Sequence, residues 1–242
     1  ALLAFQGAGR THREHEYKDN VRAGLDFLLA HQRENGDLFL ALDDNRNASV
    51  WLYSHALATI ALCEAYGMTQ DPELRIPAQK AIDFIVEAQH KERGGWRYSP
   101  GVNSDTSVSG WMMMALKSGE LANLTVPKET YAKIDQWLNN AQKSPDEPYQ
   151  FRYNPFAPNT PEQAHGLVPT KTMTSVGLLM RLYSGSKRDS DVMRAGADYL
   201  RKNLPSNGTP REPLRDTYYW YYGTQVMYHM GGDYWKDWNG RL

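Results

Sequence analysis

Two kinds of helical segment alternate along the chain. In residues 22–32 and 80–89, apolar side chains recur three and four positions apart with polar side chains opposite, which is typical of a helix that faces solvent on one side. Residues 110–116 and 175–182 are apolar on nearly every side, as expected of an enclosed helix. Because such a pair cannot bury its apolar surface alone, the alternation predicts a stack of repeated helical hairpins.

Four copies of the hairpin are marked by an aspartate that recurs in the first helix. These aspartates are Asp26, Asp83, Asp135 and Asp198. The copies are predicted to span approximately residues 17–67, 74–119, 128–185 and 190–232. Pro77 suits the start of a first helix, and each second helix is predicted to stop at a glycine in the left-handed conformation. These glycines are Gly67, Gly119, Gly185 and Gly231.

Outer amphipathic helices that alternate with enclosed inner helices form two concentric layers. The sequence therefore predicts an all-α fold, an α/α toroid or an open arc of one, in a single domain over residues 1–242. Residues 1–9 resemble the last two turns of a second helix, so the chain is expected to be a fragment of a longer protein.

Composition limits the partners and the compartment. The net charge is −1, with acids and bases interspersed, which predicts no surface for nucleic acid or an anionic membrane. No apolar run reaches the roughly 18–20 residues needed to cross a bilayer, and the start of the chain lacks a signal-peptide pattern. A soluble domain is expected, and its compartment stays open because the targeting region is expected outside this chain. The lone Cys63 excludes an internal disulfide framework and predicts helix packing.

Two segments point to a family. They resemble the QW repeats of squalene and hopene cyclases. The first is Arg22-Ala-x3-Phe-Leu-x3-Gln32, and the second is Lys80-Ala-x2-Phe-Ile-x3-Gln89, which is followed by Gly94-Gly-Trp96. Those repeats belong to the α/α-toroid superfamily, which includes protein prenyltransferase β subunits and prenyltransferase/squalene-oxidase repeat proteins of unassigned function. The Gln side chain is interpreted as a donor to backbone groups of the next turn, and Trp96 as a cover for the junction between hairpins.

The resemblance does not extend to the family's catalytic acid. Class II cyclases carry an Asp-x-Asp-Asp-Thr-Ala motif at the start of an inner helix, whereas this chain has Val102-Asn-Ser-Asp-Thr-Ser107. Asp105 and Thr106 match, but Ser104 stands at the position of the protonating acid. Hopene-type cyclisation is therefore not expected.

A prenyltransferase zinc site is not expected either. Catalytic zinc needs about three protein ligands, which that family supplies as Asp, Cys and His. Cys63 lies within a helical segment with no Asp two residues before it, and His55 lies eight residues upstream. No metal site and no cofactor are predicted.

The resemblance implies a cavity whose rim is formed by the starts of the inner helices. Asp105 and Asp216 each precede a Thr at such a start, so they are predicted to cap their helices. A capping carboxylate can still face the cavity, so the two could also form an acid/base pair. His55 is a possible third catalytic member, with a satisfied buried histidine as the alternative.

Aromatic and basic residues are the candidates for substrate binding. The aromatic candidates are Trp111, Tyr218, Tyr219 and Trp220, which either line a cavity or pack the last inner helix. The basic candidates are Arg97, Arg152 and Lys171, which either bind an anionic group or tie loops together.

Three functional hypotheses follow. The first is a cavity that binds an isoprenoid or other apolar small molecule without family catalysis. The second is a polysaccharide lyase or hydrolase on the same fold. The third is a scaffold that binds protein, with its interior filled by its own side chains.

Overall fold

The predicted all-α class is confirmed. A computed structural model describes residues 1–41, 48–209, 211 and 215–242. Over those residues the chain forms ten α-helices, two short 3-10 helices and isolated β-bridges that include Gln142–Phe151 and Arg152–Pro169, with no strand. The α-helices are α1 (Leu2–Gly7), α2 (Lys18–His31), α3 (Trp51–Thr69), α4 (Pro72–Glu87), α5 (Thr106–Leu121), α6 (Lys128–Ala141), α7 (Lys171–Tyr183), α8 (Asp191–Arg201), α9 (Thr217–Met230) and α10 (Gly232–Asn239).

Burial follows the two kinds of helix that the hydrophobic pattern distinguishes. Helix α8, a first helix, buries one face only, through Met193, Gly196, Ala197 and Leu200. Helix α7, a second helix, buries every residue from 173 to 180. Residues 112–116 of α5 are likewise all buried. The apolar runs therefore form enclosed helices, and the amphipathic segments keep a polar face in solvent.

The residue contacts divide the chain into two compact units. The first unit comprises residues 1–104 and 111–134, and the second comprises residues 105–110 and 135–242. The first residues of α5 belong to the second unit, and the rest of the helix, from Trp111 onward, belongs to the first. Helix α6 is also divided, between Ile134 and Asp135, so the division falls within two helices.

Two of the four predicted glycine stops are wrong. Gly185 and Gly231 do follow their helices with positive φ, whereas α3 and α5 continue past Gly67 and Gly119. The left-handed residues after those two helices are Gln70 and Asn123. Gly67 and Gly119 instead allow close packing, since an added Cβ would lie 3.3 Å from the Ala122 side chain and 2.7 Å from that of Ile82, respectively.

The predicted helix start at Pro77 is also wrong. Helix α4 begins at Pro72, after Asp71, whose side chain accepts a hydrogen bond from the backbone amide of Glu73. Pro72 therefore fills the first helical position, where a missing N–H is harmless, and Pro77 lies within the helix.

The glutamines of the repeat join successive first helices. At each of two junctions, a Gln side chain donates to a glycine carbonyl and to a carbonyl of the next first helix. The acceptors are Gly36 (3.2 Å) and Pro77 (2.9 Å) for Gln32, and Gly94 (2.8 Å) and Thr130 (3.1 Å) for Gln89. Trp96 is fully buried and donates from Nε1 to the carbonyl of Ile85 at 2.8 Å. Each such bond contributes about 1 kcal/mol to stability.

The carboxylate that caps α4 is a source of acid sensitivity. One oxygen of Asp71 accepts from the Glu73 amide, and the other accepts from His12 at 2.8 Å and from Arg13 at 3.1 Å. The bond from His12 is the main cause that lowers the pKa of Asp71 to about 2, against the opposing effect of burial. Because an ordinary Asp has a pKa of about 3.9, the ionised carboxylate stabilises the fold fully above about pH 4, and this contribution is lost as the pH falls through 2.

We therefore expect the urea midpoint of unfolding to fall more steeply between about pH 4 and pH 2 in the wild type than in the Asp71→Asn variant. At pH 7 the substitution should cost at least about 1.5 kcal/mol, because the bonds from the His12 and Arg13 side chains lose their charged acceptor. Replacement of the exposed Asp146 by Asn is the matched control. Equal slopes in the wild type and Asp71→Asn would contradict the assignment.

None of the helices in the described part of the chain combines the length and the apolar character needed to cross a membrane.

Candidate functional sites

Asp105 begins the first inner helix of the second unit. Its side chain is fully buried, with one oxygen accepting from the Val108 amide at 2.8 Å and the other from the Tyr153 hydroxyl at 2.9 Å. The Tyr153 ring lies 6.2 Å from the ring of His165, which is exposed. Asp105 thus caps α5, and Tyr153 connects this buried carboxylate to an exposed imidazole.

Asp216 caps α9 in the same way. One oxygen accepts from the Tyr219 amide at 2.9 Å, and the other accepts from the Thr172 hydroxyl at 2.7 Å. The hydroxyl groups of Ser107 and Tyr218 lie 2.7 Å apart. These bonds bring the starts of α5, α7 and α9 together, with Asp216 half-buried. Both aspartates therefore serve as caps, and their proposed acid/base role stays a prediction.

The basic candidates of the second unit are held by neighbouring protein groups. The guanidinium of Arg152 donates to the backbone carbonyls of Gln142 (2.8 Å) and Lys143. The ammonium of Lys171 lies 5.0 Å from the centre of the Tyr219 ring. The contacts of Arg152 match those of a residue that ties a loop in place.

The aromatic candidates differ in exposure. Tyr219 is fully buried, its hydroxyl donates to the Asn203 carbonyl at 2.7 Å, and its ring meets Trp238 edge-on at 5.4 Å. Burial raises the pKa of Tyr219, which keeps its hydroxyl protonated as a donor. Tyr218 and Trp220 are half-buried and retain surface for a ligand.

The other three candidates lie in the first unit. His55 is fully buried, with Nδ1 accepting from the Leu38 amide and Nε2 donating to the Ala81 carbonyl, both at 3.1 Å. Arg97 lies 5.0 Å from the ring centre of Tyr98. Trp111 is half-buried. Both nitrogens of His55 are thus engaged within the protein, as in the structural alternative.

One polar group near His55 was missed in the sequence. Asp37 is fully buried and accepts from the Phe39 amide at 3.0 Å, from the Trp51 indole at 3.2 Å and from Arg33 at 3.0 Å. It orders the segment after α2, and no pattern in the sequence distinguishes it from a surface aspartate.

Cys63 is a buried thiol within α3. Burial raises the pKa of Cys63 to about 12, which keeps the thiol protonated. Within the described residues, no group of three or more His, Cys, Asp or Glu side chains is placed to hold a metal ion.

The first unit also exposes an apolar groove that the sequence did not predict. The groove has a volume of about 370 Å³ and lies between α1, α2 and α3. Its lining residues all have apolar side chains, except Gly24, which has no side chain. They are Ala1, Leu2, Leu3, Gly24, Phe27, Leu28, Leu57, Ala58 and Ala61. We call this surface the α1–α3 groove.

Comparison of equivalent positions in α2 and α4 shows which face of the repeat borders the groove. When α2 and α4 are aligned on Asp26 and Asp83, Phe27 corresponds to Phe84. Phe84 is only 6% exposed because it lies beneath α3, with its ring 4.5 Å from that of His55, whereas Phe27 is 53% exposed. The face of α2 that borders the groove is therefore the same face that an inner helix covers on α4. The alignment of Asp26-Phe27 with Asp83-Phe84 was a signal in the sequence that could have located the groove.

Comparison of the chain with protein-family models, with curated proteins and with solved structures gives no match.

Proposed function

We propose that the first unit is an interaction module that binds an apolar α-helix in the α1–α3 groove. The observation that supports this proposal is the exposure of Phe27 at a position whose repeat equivalent, Phe84, is covered by a helix. A surface that buries a helix in one repeat is suited to bury a helix of similar composition in the next.

Helix α3 provides the template for such a ligand. It is apolar along most of its length, and it buries small residues such as Ala56 and Ala61 beside larger ones such as Leu52 and Ile60. The groove also combines small and large apolar residues, including Gly24 and Leu28. Small residues let two helices approach closely while the large ones interdigitate. A helix with the pattern of α3 therefore fits the chemistry of the groove.

The interior of the second unit is consistent with an interaction role. A Cβ on Gly110 of α5 would overlap the side chain of Val176 of α7, and the hydroxyl of Tyr222 of α9 would lie 3.2 Å from it. Three inner helices thus use their apolar surface on one another at this level. The isoprenoid-ligand and sugar-processing hypotheses stay predictions, and the groove offers a direct way to test the first of them.

We expect a fluorescently labelled peptide of residues 51–69, flanked by lysines for solubility, to bind the protein in an anisotropy titration. Phe27→Asp and Leu57→Asp should each weaken binding by at least about tenfold, because each places a charge where an apolar contact of 1.4 kcal/mol or more is expected. Phe27 and Leu57 are both exposed, so the variants should keep the wild-type thermal midpoint.

Ile76→Asp is the matched control, since Ile76 is an exposed apolar residue outside the groove. This variant should bind the peptide as the wild type does. Absence of peptide binding, or binding unaffected by Phe27→Asp, would reject the proposal. A farnesol titration in the same assay distinguishes the alternative, because farnesol binding without peptide binding would favour the isoprenoid-ligand hypothesis instead.

A further inference from the structure

A second surface, on α9 of the second unit, has a different chemistry from the groove. The exposed positions of α9 have polar or aromatic side chains and no aliphatic one. They are Thr217, Tyr221, Tyr228 and His229. The aliphatic residues Val226 and Met227 of the same helix are buried. Tyr221 is 42% exposed and Tyr228 is 64% exposed. We call the surface formed by Tyr221, Gln225 and Tyr228 the α9 aromatic face.

The spacing of these residues places them in a row. Positions seven apart lie on the same side of an α-helix and are separated by about 10.5 Å along its axis. Gln225 lies between the two tyrosines on that side. The face therefore presents two aromatic rings with an amide group between them.

The surrounding residues restrict how the rings are oriented. Tyr228 meets Trp235 at 5.3 Å with an interplanar angle of 88°, and Tyr221 meets the buried Tyr222 at 5.4 Å, also at 88°. The side chain of Gln225 donates a hydrogen bond to the Tyr221 carbonyl at 3.3 Å and accepts one from the Tyr183 hydroxyl at 3.3 Å. A ring that is held in one orientation before binding loses less conformational entropy when a ligand arrives.

This chemistry suits a neutral sugar chain. Each exposed ring offers an apolar face for the C–H groups of a pyranose, and the phenol and amide groups can bond its hydroxyls. In an extended β-1,4-linked chain, alternate rings present the same face, and two consecutive rings span a length close to the spacing of Tyr221 and Tyr228.

We propose that the α9 aromatic face binds an extended, neutral β-1,4-linked glycan, with Tyr221 and Tyr228 stacking on alternate sugar rings and Gln225 bonding a hydroxyl between them. This site is separate from the α1–α3 groove and does not depend on the helix-binding proposal.

Isothermal titration calorimetry of the intact chain with cellohexaose tests the proposal. Cellohexaose should bind at least about tenfold more tightly than cellobiose, which is too short to extend across both rings, and than maltohexaose, whose α-1,4 linkages curve the chain. Tyr221→Ala and Tyr228→Ala should each weaken cellohexaose binding by about tenfold, while Tyr228→Phe, which keeps the ring, should retain most of the affinity.

Tyr17→Ala is the matched control, because Tyr17 is a comparably exposed tyrosine in the first unit. It should bind cellohexaose as the wild type does. No heat of binding with cellohexaose, equal affinity for the three sugars, or full affinity in the Tyr221→Ala/Tyr228→Ala double variant would overturn the proposal. Self-association that disappears in the double variant, with no sugar binding in the wild type, would identify the face as a protein interface and overturn it as well.

Discussion

Replacement of Gly94 by alanine is expected to lower the free energy of unfolding by roughly 3–4 kcal/mol, the sum of a left-handed backbone cost and a steric overlap. Gly94 has a φ of +78°, which costs about 1–2 kcal/mol in a residue with a Cβ. The added Cβ would also overlap the backbone carbonyl of Lys133 in α6, which no side-chain rotation can relieve. The carbonyl of Gly94 is one acceptor of the Gln89 side chain, so a displaced loop would weaken that bond too.

Urea unfolding followed by circular dichroism measures this effect, and a comparison of glycines separates its two causes. Gly101 also has a positive φ, of +69°, but an added Cβ there would meet no atom within 4 Å. Gly101→Ala should therefore cost only about 1 kcal/mol, which is the backbone contribution alone. Gly36→Ala should be as costly as Gly94→Ala, because its Cβ would overlap the Lys80 carbonyl of α4. Similar losses at Gly94 and Gly101 would show that the close approach to α6 is unimportant.

These glycines illustrate how far the sequence could predict the fold. The all-α class and the two kinds of helix follow from hydrophobic periodicity, because the side-chain period and the number of covered faces are properties of the helix itself. The Gln side chains were also interpreted correctly as bonding to the backbone, although the acceptor in the next first helix, such as Thr130 for Gln89, was not predicted.

The failed predictions of helix boundaries were all made from the propensity of single residues. Gly67 and Gly119 were interpreted as helix stops, because glycine often terminates a helix, but both lie inside helices where a neighbouring helix approaches closely. Pro77 was assigned to a helix start because proline is common at the first helical position, although the preceding Asp71-Pro72 pair is the stronger start signal. Local propensity does not record which helix lies opposite a given position.

The candidate sites show the same limit. That Asp105 and Asp216 begin inner helices was predictable from the Asp-Thr pairs, and both have the capping bonds expected of such positions. Their hydroxyl partners, Tyr153 and Thr172, come from segments distant in sequence and could not be assigned. Tyr221 of the α9 aromatic face lies in the aromatic run of residues 218–222, whereas Tyr228 lies outside it. Which rings face solvent depends on the position of α10 beside α9.

Trp96→Ala should be the largest cavity-forming substitution at the repeat junction, with an expected loss of about 3–5 kcal/mol in the free energy of unfolding. Trp96 is fully buried, so its removal leaves a void among side chains that cannot all move inward, and the carbonyl of Ile85 loses its indole donor. Trp96→Phe keeps most of the volume and removes the N–H, so it should lose about 1–3 kcal/mol.

The comparison of the two Trp96 variants by urea unfolding separates volume from hydrogen bonding. Trp220→Ala, at a half-buried position on α9, is the control for general loss of a tryptophan and should cost clearly less than Trp96→Ala. A Trp96→Phe variant as unstable as Trp96→Ala would mean that the bond to Ile85 dominates, and a stable Trp96→Ala variant would remove Trp96 from the junction altogether. Because α4 and α6 are joined at this junction through Gln89 and Thr130, amide hydrogen exchange in α6 should rise with the loss of stability. That readout distinguishes a weakened junction between repeats from damage confined to the loop that carries Trp96.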